Sequence, residues 1–227
     1  MPQDMSTKLA DFPTELLKDL QREILSLEAE RTVGEKCGCC QNNSSPKMGA
    51  DSMAMYRCLE CFSHTPVCAT CVVQTHQEQP FHHIQMWNGM FFSRASLHDL
   101  GHILYLGHGG TKCPRNTQKP TSFVVVHANG IHHRRILYCT CRPSTDKHEK
   151  VLQLVRHQLF PASVSIPQTA FTFDVLEKFH QHSLSGKISA YDYFDALRKH
   201  TDAAFPQHVP VGLCISSIAS LFTPISN

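Results

Sequence analysis

Cysteine and histidine spacing carries the chemistry of this chain. Between Cys37 and Trp87 stand three Cys-x-x-Cys pairs, Cys37/Cys40, Cys58/Cys61 and Cys68/Cys71, followed by His76 and the neighbours His82 and His83. A Cys-x-x-Cys turn aims two thiolates at one point, so each pair supplies half of a tetrahedral Zn²⁺ shell. Three pairs and two histidines make eight donors, enough for two closed sites. The cysteines number eleven, an odd count, and the opening MPQDMSTKLADFPTELL lacks the basic and apolar regions of a secretory signal. Clustered thiols in a reducing compartment point to metal rather than to disulfides. Metal binding is then also folding energy, because so short and polar a segment buries too little apolar surface to hold itself.

A second constellation lies downstream. Cys139 and Cys141 are two apart, so in an extended chain both thiols point to the same side. With His108 and Cys113 they can close a third tetrahedral shell, His148 being the reserve ligand. The competing expectation is that these thiols pack as small apolar residues.

Elements must position these donors. Thr14–Arg31 has Leu17, Leu20, Ile24 and Leu27 on one face and charges on the other, an amphipathic helix expected to dock on its neighbour. The segment 44–52 reads as a loop, Met55–Cys58 as a strand, and Cys71–His76 as a helical turn. Ser96 and Asp99 form a capping box for a short helix, and Gly107, Gly109 and Gly110 then break the pattern. Asn129-Gly130 between Ser122–Ala128 and Ile131–Cys139 predicts a β-hairpin. Beyond it, Val151–Phe160 reads as a helix, Pro167–Phe173 as extended, and Asp174–Leu184 as a helix ended at Gly186. A last helix spans Ser189–His200, with Ser189 and Asp192 as its capping box. Phe179, Tyr191, Phe194 and Leu197 are the candidate core of these helices.

At 227 residues the chain allows one or two domains, and a net charge of +2 announces no partner by itself. Its distribution says more. Residues 112–156 carry nine Lys/Arg against two acidic groups, whereas residues 1–31 carry four basic and seven acidic ones. This asymmetry suggests a middle that faces anions, the competing expectation being solvated loop and strand faces. The candidate nucleic-acid-binding residues are Lys112, Arg115, Lys119, His132, His133, Arg134 and Arg135, since a basic β-ribbon can enter a major groove. No Cys-His or Ser-His hydrolase pattern stands apart from the metal donors, and the carboxylates are too few for two-metal phosphoryl transfer. No enzyme activity and no small-molecule substrate are expected. The uncharged tail 209–227 approaches a membrane span in length, but Pro210, Pro224 and its serines argue against one.

The order of the Cys-x-x-Cys pairs, with Tyr56-Arg57-Cys58 and the trailing histidines, resembles a ZZ-type zinc finger. The resemblance implies a cross-brace, with Cys37, Cys40, Cys68 and Cys71 on one ion and Cys58, Cys61, His76 and His82 on the other. Cys39 can replace Cys37 or Cys40, and His83 can replace His82. HANGIHHRRILYCTC, LVRHQLFPAS and IPQTAFTF, with LGHGGTKCP upstream, resemble the CxC-type cysteine cluster associated with KDZ transposases. This implies a nuclear protein of a fungal mobile element that binds DNA such as transposon ends. An RNase H-like catalytic domain would normally follow, and none is expected in a chain that stops soon after the last helix, as a truncated reading frame would. ZZ fingers are also associated with chromatin peptides such as histone tails, held in acidic pockets; near the knuckles stand only Asp51 and Glu60.

The expected fold is α+β, made of small zinc-stabilised modules holding two zinc ions and permitting a third. The expected order is an amphipathic helix at 1–33, a ZZ-like zinc-binding module at 34–88, the cysteine cluster with its hairpin and helices at 89–208, and the tail at 209–227.

Overall fold

Pro13, at φ −55° and ψ 138°, leads into helix α1 (Thr14–Ser26), whose first turn holds Glu15 where the helix dipole favours an anion. In the computed structural model, residues 13–28, 32–42, 52–141, 148–202 and 205–209 are described. The expected 44–52 loop, except Ser52, and the tail beyond Val209 lie outside them. The chain divides into two compact units, residues 1–72 with 83–95, and residues 73–82 with 96–227.

The first unit is built on a small antiparallel sheet of β1 (Tyr56–Cys58), β2 (Ile84–Trp87) and β3 (Phe92–Ala95), in that order. Cys58 pairs with Ile84, and Ile84 with Ala95. Two short helices, α2 (Gly38–Asn42) and α3 (Ala69–Thr75), start beside Cys37 and Cys68. Arg57 is buried, its guanidinium 3.9 Å over the Phe92 ring and donating to Gln85 Oε1 at 2.8 Å. It also donates to the Leu27 carbonyl and to Glu28 Oε2, which ties down the C-terminal end of α1. The apolar face of α1 is not what docks. Leu17, Leu20 and Ile24 are 38%, 41% and 65% exposed, and no residue of the helix is buried. The attachment is by hydrogen bonds at its end.

The second unit centres on a mixed five-stranded sheet. Its strands are β4 (Ile103–Leu106), β5 (Thr121–His127), β6 (Gly130–Tyr138), β7 (Leu159–Pro161) and β8 (Thr169–Thr172), in the order β4-β6-β5-β8-β7. β4 runs parallel to β6 and β5 parallel to β8; the other two pairs are antiparallel. Three helices, α4 (Glu149–Arg156), α5 (Phe173–Gly186) and α6 (Ala190–Thr201), cover it. Strand alternation divides the core by face. Val126, Ile131 and Phe171 pack with Val175, Phe179, Phe194 and Leu197 of α5 and α6. Phe123, Val125, Ile136 and Ala170 pack with Leu106, Leu154 and Leu159 on the other side.

Several local expectations shift. The hairpin forms, but its two-residue connection is Ala128-Asn129, His127 pairing with Gly130, which takes φ 145° directly after the turn. Ser96 accepts from the His98 N–H in a turn rather than opening a helix. α4 ends at Arg156 because Gln158 adopts φ 59°, and Leu159–Pro161 becomes a strand instead of the helix's last turn. Lys187, at φ 51°, takes the left-handed position after α5 in place of Gly186. Ser189 caps α6, accepting from the Asp192 N–H at 3.1 Å. Tyr191, expected in the core, is 61% exposed; its neighbour Tyr193 packs on Phe179 instead.

Phe194 is fully buried, with its ring 5.9 Å from that of Phe171. Phe194→Ala should cost about 3–5 kcal/mol through lost burial and the cavity left behind. Urea denaturation of the metal-loaded protein reads this loss.

Candidate metal centres

The first donor group joins two helix starts. Cys37 and Cys40 bracket the first turn of α2, where the Cys40 N–H bonds to the Cys37 carbonyl at 3.1 Å, and Cys68 and Cys71 bracket that of α3. Cys40 Sγ lies 3.5 Å from Cys68 Sγ and 3.3 Å from Cys71 Sγ. Zn–S bonds of about 2.3 Å in a tetrahedron set S···S edges of about 3.8 Å. A disulfide would require about 2.05 Å. The cage therefore fits an ion rather than a covalent bridge. Cys37, Cys68 and Cys71 are buried, and Cys39 packs against them without belonging to the four-atom group.

The electrostatics explain why this cage wants a cation. Burial opposes ionisation of Cys37, but backbone N–H groups of Cys68, Cys40 and Cys39 outweigh it and bring the thiol down to about 7. Burial, then sulfur contacts led by Cys40, push Cys71 far up. One thiolate forms readily and the next is resisted, until a dication neutralises them together.

Cys58 closes β1, and its sulfur accepts from the N–H groups of Glu60 and Cys61 at 3.4 and 3.3 Å, the fold of a metal knuckle. The rings of His76 and His82 approach edge-on, 5.4 Å between centroids. Cys58, Cys61, His76 and His82 have ligand atoms within 4.8 Å of one another. His83 turns to Glu60, its Nδ1 lying 2.6 Å from Oε1 while its backbone N–H donates to Oε2 at 2.7 Å.

The third group follows from parallel pairing. Leu106 of β4 lies opposite Tyr138 of β6, so the residues after each strand emerge side by side. These are Gly107-His108 and Cys139-x-Cys141, and Cys113 returns to the same place. His108 Nε2 is 3.2 Å from Cys141 Sγ and 3.3 Å from Cys139 Sγ, and Cys113 Sγ is 3.5 Å from Cys141 Sγ. The Gln153 side chain clamps the Cys139 backbone from α4, accepting from its N–H at 2.8 Å and donating to its carbonyl at 3.0 Å. The Thr140 backbone N–H leads the contacts that hold Cys113 at about 5, while hydrogen bonding from Cys113 is first among the causes that raise Cys141 to about 11. All three groups can hold a metal ion.

The nucleic-acid candidates divide. Lys112, Arg115 and Lys119 are exposed, as is His133, and Arg135 is half-buried. His132 and Arg134 are 4% and 3% exposed and point inward, hydrogen-bonded to each other, which removes them from any surface facing phosphate. Their side lies opposite His133 and Arg135 because strand positions alternate. Sequence reasoning gave no weight to Gly107, where an added Cβ would sit 2.7 Å from Cys139 Cβ. Its place just before His108 was the available signal.

Two outcomes test the third group. Gly107→Ala should weaken metal there by about 10–100-fold, the range for groups that orient ligands, and leave the other two groups intact. Co²⁺ absorption titration distinguishes the sites. Protons compete with metal for thiolates, so affinity should fall as pH is lowered, and more steeply below about 5, where Cys113 is also protonated. Chelator competition across pH measures this slope.

No helix among the described residues is long and apolar enough to cross a membrane. No curated protein and no solved structure matches the chain. Residues 97–204, which contain all four donors of the third group, match the family described as the CxC2 like cysteine cluster associated with KDZ transposases. That description names an associated cysteine cluster, not a catalytic domain.

Proposed function

We propose that the protein is a zinc-stabilised, non-catalytic DNA-binding module of KDZ-type transposition, acting in the nucleus on transposon ends or flanking DNA. The convergence of three Cys/His groups, one inside the family-matched region, is the observation that carries the reading. Zinc suits every group, since thiolate and imidazole in fours are its structural ligands. Cys37, Cys40, Cys68 and Cys71 would hold one ion, Cys58, Cys61, His76 and His82 a second, and His108, Cys113, Cys139 and Cys141 a third. The ions supply folding energy and no reaction chemistry.

The phosphate-facing set is Lys112, Arg115, Lys119 and Arg135. Lys112 and Arg115 flank Cys113, so metal at the third group would fix where their backbone stands. Arg115 further donates to the Cys141 carbonyl at 3.2 Å. Arg135 pairs across the hairpin with Ser122, three residues after Lys119. Burial, then His98 and Arg134, lower the His133 pKa, so that ring contributes hydrogen bonding rather than charge at neutral pH.

Replacing Lys112, Arg115, Lys119 and Arg135 together by Ala should weaken binding to duplex DNA of any sequence. It should also flatten the plot of log affinity against log salt by about 0.9 for each phosphate that is no longer neutralised. Fluorescence anisotropy over a salt series reads both. Unchanged affinity and slope would refute the DNA-binding surface. Binding of a histone-tail peptide at constant affinity across that series would favour the protein-interaction alternative.

A further inference from the structure

Arg134 is buried without a carboxylate among its hydrogen-bond partners. Its guanidinium donates from Nε to the Pro80 carbonyl at 2.6 Å and from Nη1 to the His133 carbonyl at 2.7 Å, and Nη2 meets His132 Nδ1 at 3.1 Å. Arginine only donates, so His132 Nδ1 is the acceptor and the ring's proton resides on Nε2. That Nε2–H then donates to Asn129 Oδ1 at 2.8 Å. The amide is thereby oriented with its NH₂ outward, and Nδ2 donates to the Phe81 carbonyl at 2.8 Å. Every donor and acceptor in this chain is fixed by the one before it.

The same short segment is held at its other end. His102 is fully buried, and its Nε2 lies 3.1 Å from the His76 carbonyl. A carbonyl only accepts, so Nε2 carries the proton; Nδ1 has no partner. Three side chains thus grip the carbonyls of residues 76, 80 and 81, within a stretch that begins at His76 and ends at His82.

We propose that Asn129, His132, Arg134 and His102 are positioning residues that, within the second unit, set His76 and His82 at the spacing that two imidazole ligands of one ion require. The inference rests on the metal reading above. A loop fixed only by its own turns, such as the His82 N–H to Gln79 carbonyl bond of 3.4 Å, holds two ligands six residues apart poorly. Ligand geometry has to be kept within about 0.5 Å. Carbonyl acceptors serve this purpose where a carboxylate would not, because they fix the backbone from which the imidazoles project.

The test uses the full chain loaded with Co²⁺, whose ligand-field bands separate a two-thiolate, two-imidazole site from the sulfur-richer groups. Asn129→Asp keeps the acceptor for His132 and loses the donor to Phe81; Arg134→Met loses every donor. Each should weaken metal at Cys58/Cys61/His76/His82 by about 10–100-fold, with the Cys37/Cys40/Cys68/Cys71 group unchanged. Arg134→Lys, which keeps one donor for Pro80, should recover part of the loss. If Arg134→Met does not fold, the near-isosteric Asn129→Asp carries the test. Wild-type affinity in the variants, or an equal fall at all three groups, overturns the positioning role. A wild-type protein without the two-imidazole signature overturns the metal reading, and this inference with it.

Discussion

Thiolates repel one another, and everything in the first unit depends on how that repulsion is met. The described core there contains eight buried apolar residues, Cys37, Ala54, Cys58, Cys68, Cys71, Val72, Ile84 and Phe92, and four of them are cysteines. So few carbon side chains cannot offset the conformational entropy of ordering the segment. A dication at the sulfur cage would supply that energy and also remove the repulsion, so the donor groups form the core here rather than decorating one.

The second unit reverses that relation. Its sheet is packed on both faces by aliphatic and aromatic side chains, and the third donor group stands at the strand ends, outside both clusters. A metal there pins the emergent ends of β4 and β6 and the return through Cys113. The gain is local order in the basic segment 112–119 rather than the existence of the fold. Loss of metal should therefore unfold the first unit more completely than the second, a difference rooted in where each keeps its buried surface.

What could be read directly from the chain was local chemistry. Cys-x-x-Cys pairs, the hairpin near Asn129-Gly130 and the Ser189 cap each depend on a few adjacent residues, and they form where their spacing places them. Parallel pairing was not legible, because β4 and β6 are joined through β5 and no adjacent residue signals their alignment. Yet it is that alignment which brings His108 beside Cys139. The run Val151–Phe160 looked continuous by apolar spacing, but Gln158 leaves helical space and Leu159 enters the sheet core. Arg134 failed for a different reason. A charged residue on a hairpin is ordinarily exposed, and only the fold reveals the carbonyl of Pro80 waiting for its guanidinium.

The burial of Arg134 changes how the basic character of this region should be understood. Of the cations counted along the sequence, this one is committed to the interior, where it costs desolvation and returns positional control. Lys112 and Arg115 also have a second claim on them. Three thiolates and one imidazole around a divalent ion would leave a net charge of −1, and these two residues flank one of the thiolates. Part of their field would then act on the metal group rather than on an outside anion. A basic surface beside such a group is coupled to it: a bound ion would fix the backbone that presents the cations, and the cations would ease the charge of the ion's own ligands. Under the proposed function, affinity for DNA and retention of metal at this group are linked quantities, and a loss of one has to be measured alongside the other before either is assigned to a side chain.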